Sequence, residues 1–473
     1  MSNLDMGIVF FYLALMVALG LYASRRQHDI EDYFVAGRRL GAFSIACLWL
    51  ASWVGGASIV GGSAKAHEIG ISATWYVLAL AIGCALFGVL FAGRVKRLGD
   101  RHGHLTYPDF IEHRFDSRTR IVATVTTSLA FIAFAAGQLV AAASIIEVLL
   151  GWGFIPCLLL SGGIVVLYTA TGGFLAVTYT DWVQFVLLLI GVVLVGIPIA
   201  ISNGGTPAAL QAQLPASYFD PGAWGWPSIL ALVVSIAFSF FVAMDSFTRC
   251  FAARDARASG NGALLAAVFM LPIALAATWL GMTAAVLFPD LSNTQGVLTT
   301  FVVELFPSGL KGLVLVGILA AVMSTADICI LTVSANLTRD VYQRYVDPAV
   351  SDGRLLRMSV AASALAGLVA LALAWKMQDI IDVLLFGFTI NSAALFLPTL
   401  AAVLGWTLSP RAAFWSIGLS LLTVMVWRVA ADMGMGGVFT TEPLWPGLVV
   451  SAATIALLHY LARPVPGPAP ARE

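Results

Sequence analysis

Charge is scarce in this sequence. Only 11% of its 473 residues are Asp, Glu, Lys or Arg, whereas a soluble globular domain carries about 25%. Apolar residues make up 60% of the chain, and the mean hydropathy is +0.93. The formal net charge is zero, which leaves no overall electrostatic reason to expect nucleic acid or an acidic partner. The composition excludes a soluble domain and predicts an all-α polytopic membrane protein in a lipid bilayer.

Cysteine is also rare, and the thiols form no recognisable site. All five lie in or at the ends of apolar segments, without a CxxC pair and without a histidine at ligand spacing: Cys47, Cys84, Cys157, Cys250 and Cys329. We expect them to be buried small side chains rather than disulfides or metal ligands. The sequence also lacks a nucleophile triad, a phosphate-binding glycine loop and a metal cluster. Nothing in it predicts an enzyme, and no obligate protein partner is evident.

Long apolar runs dominate the chain. Thirteen of them reach roughly the length that crosses a bilayer. They cover residues 6–23, 42–66, 74–93, 121–149, 154–170, 174–200, 227–248, 261–288, 310–336, 356–375, 381–404, 412–431 and 445–462. An odd number of spans places the two termini on opposite sides of the membrane.

The basic residues indicate which side is which. Of the 25 Lys and Arg residues, 21 lie in alternate connections between spans. The other connections hold only Lys65, Lys311, Lys376 and Arg428. Because basic residues collect on the cytoplasmic side, we expect the N-terminus outside, the C-terminus in the cytoplasm, and a location in the plasma membrane.

The span at 310–336 is unusual because polar residues interrupt its centre. Ser324, Thr325 and Asp327 lie there, and Ser324 and Thr325 share a helical face with Ala321. Serine and threonine in a membrane helix often bond back to a carbonyl one turn earlier. A carboxylate at this depth needs a donor or a cation. Asp327 therefore favours an ion site on this face over simple back-bonding.

The span at 42–66 carries two glycine pairs, Gly55 with Gly56 and Gly61 with Gly62. Glycine is a poor helix former, and broken helices at membrane depth occur where freed carbonyls line a site. Small residues also permit close packing of neighbouring helices. Both interpretations, an unwound helix and a close contact, stay open from this span alone.

Two further carboxylates lie in or beside apolar spans. Asp181 enters the span at 174–200, and Asp245 ends the span at 227–248. Asp245 and Arg249 are one helical turn apart, which predicts an ion pair at the inner interface. The span at 227–248 contains no Gly or Pro that would mark a break. It could unwind at Ser239, but the sequence does not show it.

Four segments resemble the sodium/solute symporter family. They are LASWVGG at 50–56, GGFLAVTYTDWVQ at 172–184, TRCFAARDARA at 248–258 and AAVMSTADICILTVSANLTRDVY at 320–342. The resemblance extends over nearly the whole chain, with local similarity to the choline-transporter branch and to the sodium/proline branch. It implies a LeuT-type core of two inverted five-helix repeats, at 42–200 and 227–404. A peripheral helix at 6–23 would precede the core, two at 412–462 would follow it, and a tail at 463–473 would end the chain.

The resemblance also implies an ion site. In family members a sodium ion lies between the broken first core helix and the eighth. By motif, its ligands here would be the carbonyl oxygens of Ala51, Val54 and Ala321 and the hydroxyls of Ser324 and Thr325.

A further sodium ion in some relatives uses the aspartate that matches Asp181. Asp327 stands at one of the serine positions of that site. Three roles therefore stay open for Asp327: a ligand of a second ion, a proton site, or a counter-ion for a cationic solute.

Candidate solute contacts follow from the same resemblance and from the aromatic residues. Choline transporters of the family surround the amine with aromatic rings, because cation-π attraction requires a desolvated ring face. Trp53 matches one such ring, but small residues near Ala135 and Ala243 replace two others, which argues against choline itself. The candidates are Trp53, Gly56, Ser58, Phe134, Gln138, Phe238, Phe241 and Phe388. For each phenylalanine, core packing or a lipid-facing position is the alternative.

The sequence therefore predicts a sodium-coupled secondary active symporter with Na⁺ as coupling ion. It would import a small organic solute (an amino acid, an amine or a short organic acid) by alternating access. One alternative is a proton-coupled carrier that titrates Asp181 or Asp327. A second is a solute sensor built on the transporter fold. A passive channel is disfavoured because the chain has no repeated pore motif or ring of like charge.

Overall fold

The computed structural model describes residues 2–23, 38–104, 106–167, 189–291 and 293–461, with the single positions 169 and 186. Regular structure in these residues is helical, apart from an isolated bridge between Leu40 and Ala253. The α-helices are α1 Asn3–Ala23, α2 Ala42–Trp53, α3 Gly56–Ile69, α4 Thr74–Phe87, α5 Gly93–His102, α6 Tyr107–Arg114, α7 Ser117–Leu150, α8 Phe154–Leu167, α9 Ile197–Ser202, α10 Pro207–Gln213, α11 Trp226–Phe240, α12 Met244–Ala252, α13 Ala256–Leu287, α14 Val297–Leu305, α15 Leu310–Ala335, α16 Asp352–Lys376, α17 Ile380–Leu404, α18 Pro410–Asp432 and α19 Leu444–Leu461.

Within these described ranges, seven continuous helices are long and apolar enough to cross a membrane. Two bent pairs bring the number to nine if each pair is one span: Leu189–Ser202 with Pro207–Gln213, bent by 61°, and α11 with α12, bent by 42°. The helices α8 and α19 are apolar but shorter. The count of thirteen spans remains a prediction.

The first break lies between α2 and α3. Val54 has φ −108° and ψ 49°, and Gly55 is extended at φ −67° and ψ 173°. The N–H of Val54 still donates to the carbonyl of Leu50, and the N–H of Ser58 donates to the carbonyl of Gly55, so the helix restarts at once. A Cβ added at Gly55 would lie 2.5 Å from Oγ1 of Thr325. The unwound helix and the close packing that the sequence left as alternatives therefore occur together at this glycine.

The second break lies between α11 and α12, and the sequence gives no sign of it. The carbonyl of Ser239 accepts hydrogen bonds from the N–H groups of Val242, at 3.1 Å, and Ala243, at 2.8 Å. This tight turn contains neither Gly nor Pro. It lies opposite the first break, because α12 packs against α2. The span at 227–248 is therefore broken immediately after the serine at which unwinding was considered.

The remaining helices enclose the two breaks. Helices α15 and α17 both pack along α7, and α13 packs against α2, α3 and α4. Helix α15 is continuous across the membrane and goes on as a wider, π-helical segment, Asn336–Val346. Arg120 ties that segment to α7 and α6, since it forms ion pairs with Asp340, Glu112 and Asp109. The first break therefore faces a continuous helix, because α15 packs against both α2 and α3.

Candidate functional site

The two breaks face a small central cavity of about 40 Å³. Helices α2, α3, α4, α7, α12, α15 and α17 all contribute to its wall. The lining residues are Ser52, Trp53, Ser58, Tyr76, Phe131, Phe134, Gln138, Asp245, Thr325, Ile328, Cys329, Leu384 and Phe388. A volume of this size holds only a few water molecules. The site as it stands is therefore narrow.

Five of the predicted solute contacts line this cavity: Trp53, Ser58, Phe134, Gln138 and Phe388. Two of them also support the broken backbone. Oε1 of Gln138 accepts from the N–H of Ala57 at 3.4 Å, and the hydroxyl of Ser58 donates to the carbonyl of Trp53 at 3.2 Å. Such contacts satisfy groups that the start of a helix leaves without an intrahelical partner. Gly56 is the first residue of α3.

The other two predicted contacts, Phe238 and Phe241, are not among the lining residues. Phe238 stacks on Phe396 with a centroid distance of 3.6 Å and an angle of 7° between the rings. Phe241 meets Phe91 edge to face at 4.6 Å. Both rings therefore belong to an aromatic cluster beside the site, as the packing alternative describes. Periodicity could not separate them from the lining rings, because the break after Phe240 changes the direction of the chain.

Trp53 lies between two other rings. Its centroid is 3.6 Å from that of Phe240 and 5.7 Å from that of Phe388, with interplanar angles of 24° and 15°. The indole N–H of Trp53 is buried and has no hydrogen-bond partner among the described residues. A buried donor of this kind is costly unless something binds it. Trp53 thus offers the site both a ring face and a free hydrogen-bond donor.

Asp245 is a lining residue whose position the sequence did not reveal. The predicted pair with Arg249 is present, but the carboxylate reaches the cavity instead of lying at the interface. Arg249 is buried, donates to the hydroxyl of Ser52, and lies over the ring of Trp49 at 5.1 Å. Because Asp245 and Ser52 come from α12 and α2, Arg249 connects the two broken helices. An i,i+4 pair is common enough that its spacing carried no sign of a binding role.

The predicted sodium ligands come together at the first break, as far as the structure describes them. Val54 is buried at the break, and the Cβ that Gly55 lacks would lie 3.6 Å from the carbonyl oxygen of Ala321. The hydroxyl of Thr325 donates to that same carbonyl at 2.9 Å, which is the back-bond that the sequence left as an alternative. Ala51 lies in the last turn of α2. The side chains of Ala51 and Ser324 lie outside the described part of the structure.

Asp327, one of the two carboxylates considered for a second ion, is fully buried. Its Oδ1 accepts a hydrogen bond from the hydroxyl of Thr169. Asp181 and the motif at 172–184 lie outside the described residues. The contact with Thr169 shows that the chain just before this motif packs against α15. This places Asp327 at a helix contact and not in the wall of the central cavity.

Comparison with known proteins decides the family. A family model described as the sodium:solute symporter family matches residues 33–420. The chain belongs to this family. Since the family consists of secondary transporters, the symporter is a multi-pass membrane protein and not an enzyme. The resemblance drawn from the four motifs is confirmed.

Curated relatives cover most of the symporter. It is 26% identical to the sodium/proline symporter of Escherichia coli over 467 residues, which is 96% of this chain and 92% of the relative. It is also 26% identical to the sodium/pantothenate symporter of the same organism, with 84% of each chain covered. These relatives carry chemically different solutes, so the family alone leaves the solute open.

Solved structures agree on the fold. A sodium-coupled sialic acid symporter, in a substrate-bound outward-open state, matches with a TM-score of 0.77 at 20% identity and covers 98% of this chain and 99% of that one. A nucleobase-cation-symport-1 family transporter in a closed conformation matches with a TM-score of 0.58 at 16% identity, covering 91% and 94%. The prediction of an all-α, LeuT-type fold is confirmed.

Proposed function

We propose that this symporter imports a small organic solute together with Na⁺ by alternating access, and that Na⁺ binds between the first break and α15. The observation that carries the proposal is the contact of Gly55 with Thr325 and Ala321. A Cβ added at Gly55 would lie 2.5 Å from Oγ1 of Thr325 and 3.6 Å from the carbonyl oxygen of Ala321, so the interrupted backbone lies close to a hydroxyl and a carbonyl of a continuous helix. The carbonyls of Ala51, Val54 and Ala321 and the hydroxyls of Ser324 and Thr325 would hold the ion.

The hydrogen bond of Thr325 is compatible with this role. A hydroxyl has one hydrogen to donate and two lone pairs. The donation to Ala321 uses the hydrogen, and it is the oxygen lone pairs, not the hydrogen, that would bind a cation. Carbonyl oxygens of unwound segments are the usual sodium ligands of such folds. Na⁺ would then bridge α2 and α15 and complete the adjoining solute cavity, and its loss to the cytoplasm would release both.

One sodium ion supplies enough free energy for uptake. A membrane potential of about 100 mV contributes roughly 2.3 kcal/mol per charge. A tenfold sodium gradient adds about 1.4 kcal/mol. Together they support an accumulation of a few hundredfold for a solute without net charge, so a second ion is not required on energetic grounds.

Replacement of the two hydroxyls tests the ion site. We expect Ser324→Ala with Thr325→Ala to remove the sodium dependence of uptake into proteoliposomes, because two of the five ligands are lost. Thr127→Ala is the matched control, since Thr127 is equally buried and bonds back to Ala123 on α7. Thermal unfolding should show that both variants remain folded. Unchanged sodium dependence in the double variant would contradict the assignment.

We further propose that the solute carries a positively charged amino group, held by Asp245. Oδ1 of this carboxylate has no hydrogen-bond partner among the described residues, while Oδ2 pairs with Arg249. Asp245 is the only ionisable carboxylate or basic group among the described lining residues. Aromatic rings form much of the remaining wall, and ring faces attract a desolvated cation. An amino acid or a small amine fits this wall better than a simple organic acid does.

A series of small ring compounds tests the amino group on the wild-type symporter. Proline carries an ammonium and a carboxylate, and tetrahydrofuran-2-carboxylate replaces only the NH₂⁺ group by oxygen. We expect proline and pyrrolidine to raise the melting temperature in NaCl and tetrahydrofuran-2-carboxylate to leave it unchanged. Asp245→Asn should weaken the effect of proline about tenfold or more, as the loss of a charged hydrogen bond does. Stabilisation by tetrahydrofuran-2-carboxylate that is as strong as stabilisation by proline would contradict the proposal.

The arrangement of the whole chain is proposed on the same basis. The breaks lie in the first helices of the segments 42–200 and 227–404, which supports their assignment as two inverted repeats, with peripheral helices at 6–23 and 412–462. The concentration of Lys and Arg in alternate connections supports an N-terminus outside and a C-terminus in the cytoplasm. The membrane would then be the plasma membrane. The tail at 463–473 lies outside the described residues.

A further inference from the structure

A second cavity, of about 890 Å³, shares no lining residue with the solute site and lies where α5, α6 and the end of α17 meet. Its lining contains four arginines and three histidines and, among the described residues, no carboxylate. Arg94, Arg97 and Arg101 come from α5, and Arg114 ends α6. So many cations around one cavity repel each other unless an anion lies between them. The proposed sodium coupling uses none of these residues.

His104 is a lining residue whose ring lacks a hydrogen-bond partner among the residues that the structure describes. Its side chain is only 5% exposed, and neither ring nitrogen has a hydrogen-bond partner within the described part of the chain. Burial and the neighbouring His113 lower the pKa of His104 to about 4, so the ring is neutral at pH 7 and one nitrogen carries a hydrogen. A buried N–H without an acceptor is costly. The ring therefore offers a donor to a group from outside the protein.

The cluster suits an anion and not a metal ion. His102, His104 and His113 lie together, with ring centroids 4.0 to 5.5 Å apart. No group of His, Cys, Asp or Glu in the described residues could hold a metal ion. The surrounding guanidinium groups would also repel a metal cation. Guanidinium forks match the oxygens of a phosphate group, so a phosphate is the anion that this wall recognises.

The rest of the wall is apolar. Leu98 and Phe110 form one part of it, and residues 402–405 at the end of α17 form another. Leu404 in this wall is 37% exposed. Trp406 beside it is 57% exposed, and its carbonyl accepts a hydrogen bond from Arg114. Exposed tryptophans are typical of the headgroup level of a membrane. A ligand with a phosphate and an apolar tail fits both parts of the wall.

We propose that this cavity binds the phosphate of an anionic phospholipid headgroup, with its acyl chain against the end of α17. Basic pockets on the cytoplasmic side of membrane proteins are suited to such headgroups. His104 and the arginines contact the phosphate oxygens, and Leu98 and Phe110 border the glycerol and the first part of the chain. A free phosphate ion has the same oxygens but no apolar part.

The test uses the purified, full-length symporter in a neutral detergent. Phosphatidylglycerol, phosphatidylcholine or inorganic phosphate is added, melting temperature is measured, and native mass spectrometry counts retained lipid. We expect phosphatidylglycerol to be retained and to raise the melting temperature, and phosphatidylcholine to do neither. Equal effects of the two lipids would overturn the proposal. Stabilisation by phosphate as strong as that by phosphatidylglycerol would also overturn it, because it would identify the site as one for a free anion.

Variants assign the effect to this cavity. We expect Arg97→Gln with His104→Leu to retain phosphatidylglycerol roughly tenfold less well, since two polar contacts are lost. Arg118→Gln is the matched control, because Arg118 is exposed at the start of α7 and does not line the cavity. Equal loss in both would indicate non-specific attraction and contradict the proposal. If the double variant unfolds, Arg97→Gln alone serves, with the same expected direction.

Discussion

At the scale of single residues, Gly55 occupies a position in the candidate ion site that has no room for a side chain. The absent side chain leaves room for Oγ1 of Thr325, which would lie 2.5 Å from an added Cβ. Real Cβ contacts are not that short, so an alanine must displace Oγ1 of Thr325 from its present position. Gly62, in the same broken span, has only an ordinary contact of 3.9 Å, with Ala277. The two glycines differ in what they face, which a sequence pattern cannot show.

Gly55→Ala should therefore abolish sodium-dependent uptake and lower the melting temperature, with a cost of about 1–3 kcal/mol for overpacking. Gly62→Ala should leave uptake unchanged and be neutral or stabilising by up to about 1 kcal/mol, because alanine is the better helix former. Uptake assays and thermal unfolding of the two variants measure this contrast. Equal behaviour of both alanines would show that the break does not need close contact with Thr325.

At the scale of helices, Arg120 connects the π-helical segment that follows α15 with α6 and α7. Its guanidinium is buried and faces three carboxylates, of which Asp340 is only 1% exposed. A buried ion pair adds little stability compared with an apolar contact, but removal of one partner leaves the other charge buried and uncompensated. The network thus makes the junction of these helices specific.

Arg120→Gln should lower the free energy of unfolding by about 3–5 kcal/mol. Arg118→Gln, two residues earlier and exposed, should change it by less than about 0.5 kcal/mol. Chemical unfolding of both variants in the same detergent gives the comparison. A loss in Arg120→Gln no larger than in the control would mean that the carboxylates find water or other partners, and that the network does not hold α15 in place.

At the scale of the whole molecule, the coupling ion distinguishes the proposed function from its main rival. Asp327 is a buried carboxylate, so a proton-coupled carrier is the specific alternative. We expect wild-type proteoliposomes to accumulate a solute that stabilises the purified protein with an inward sodium gradient at equal pH, and not with an inward proton gradient in sodium-free buffer. Choline chloride in place of NaCl is the control for ionic strength. Uptake driven by a proton gradient alone would show that the proton, and not sodium, is the coupling ion.

The sequence by itself determined the membrane class and the family, because composition and motifs are local properties. Its paired glycines marked the place of the first break but left an unwound helix and a close helix contact as alternatives. It also identified the face of α15 that lies against that break. Only the tertiary structure decided that α11 breaks without Gly or Pro, that Asp245 reaches the cavity, and that Phe238 and Phe241 pack elsewhere. These outcomes depend on how helices distant in the chain pack together, and helical periodicity is the same for a residue that faces a cavity and for one that faces a neighbouring helix.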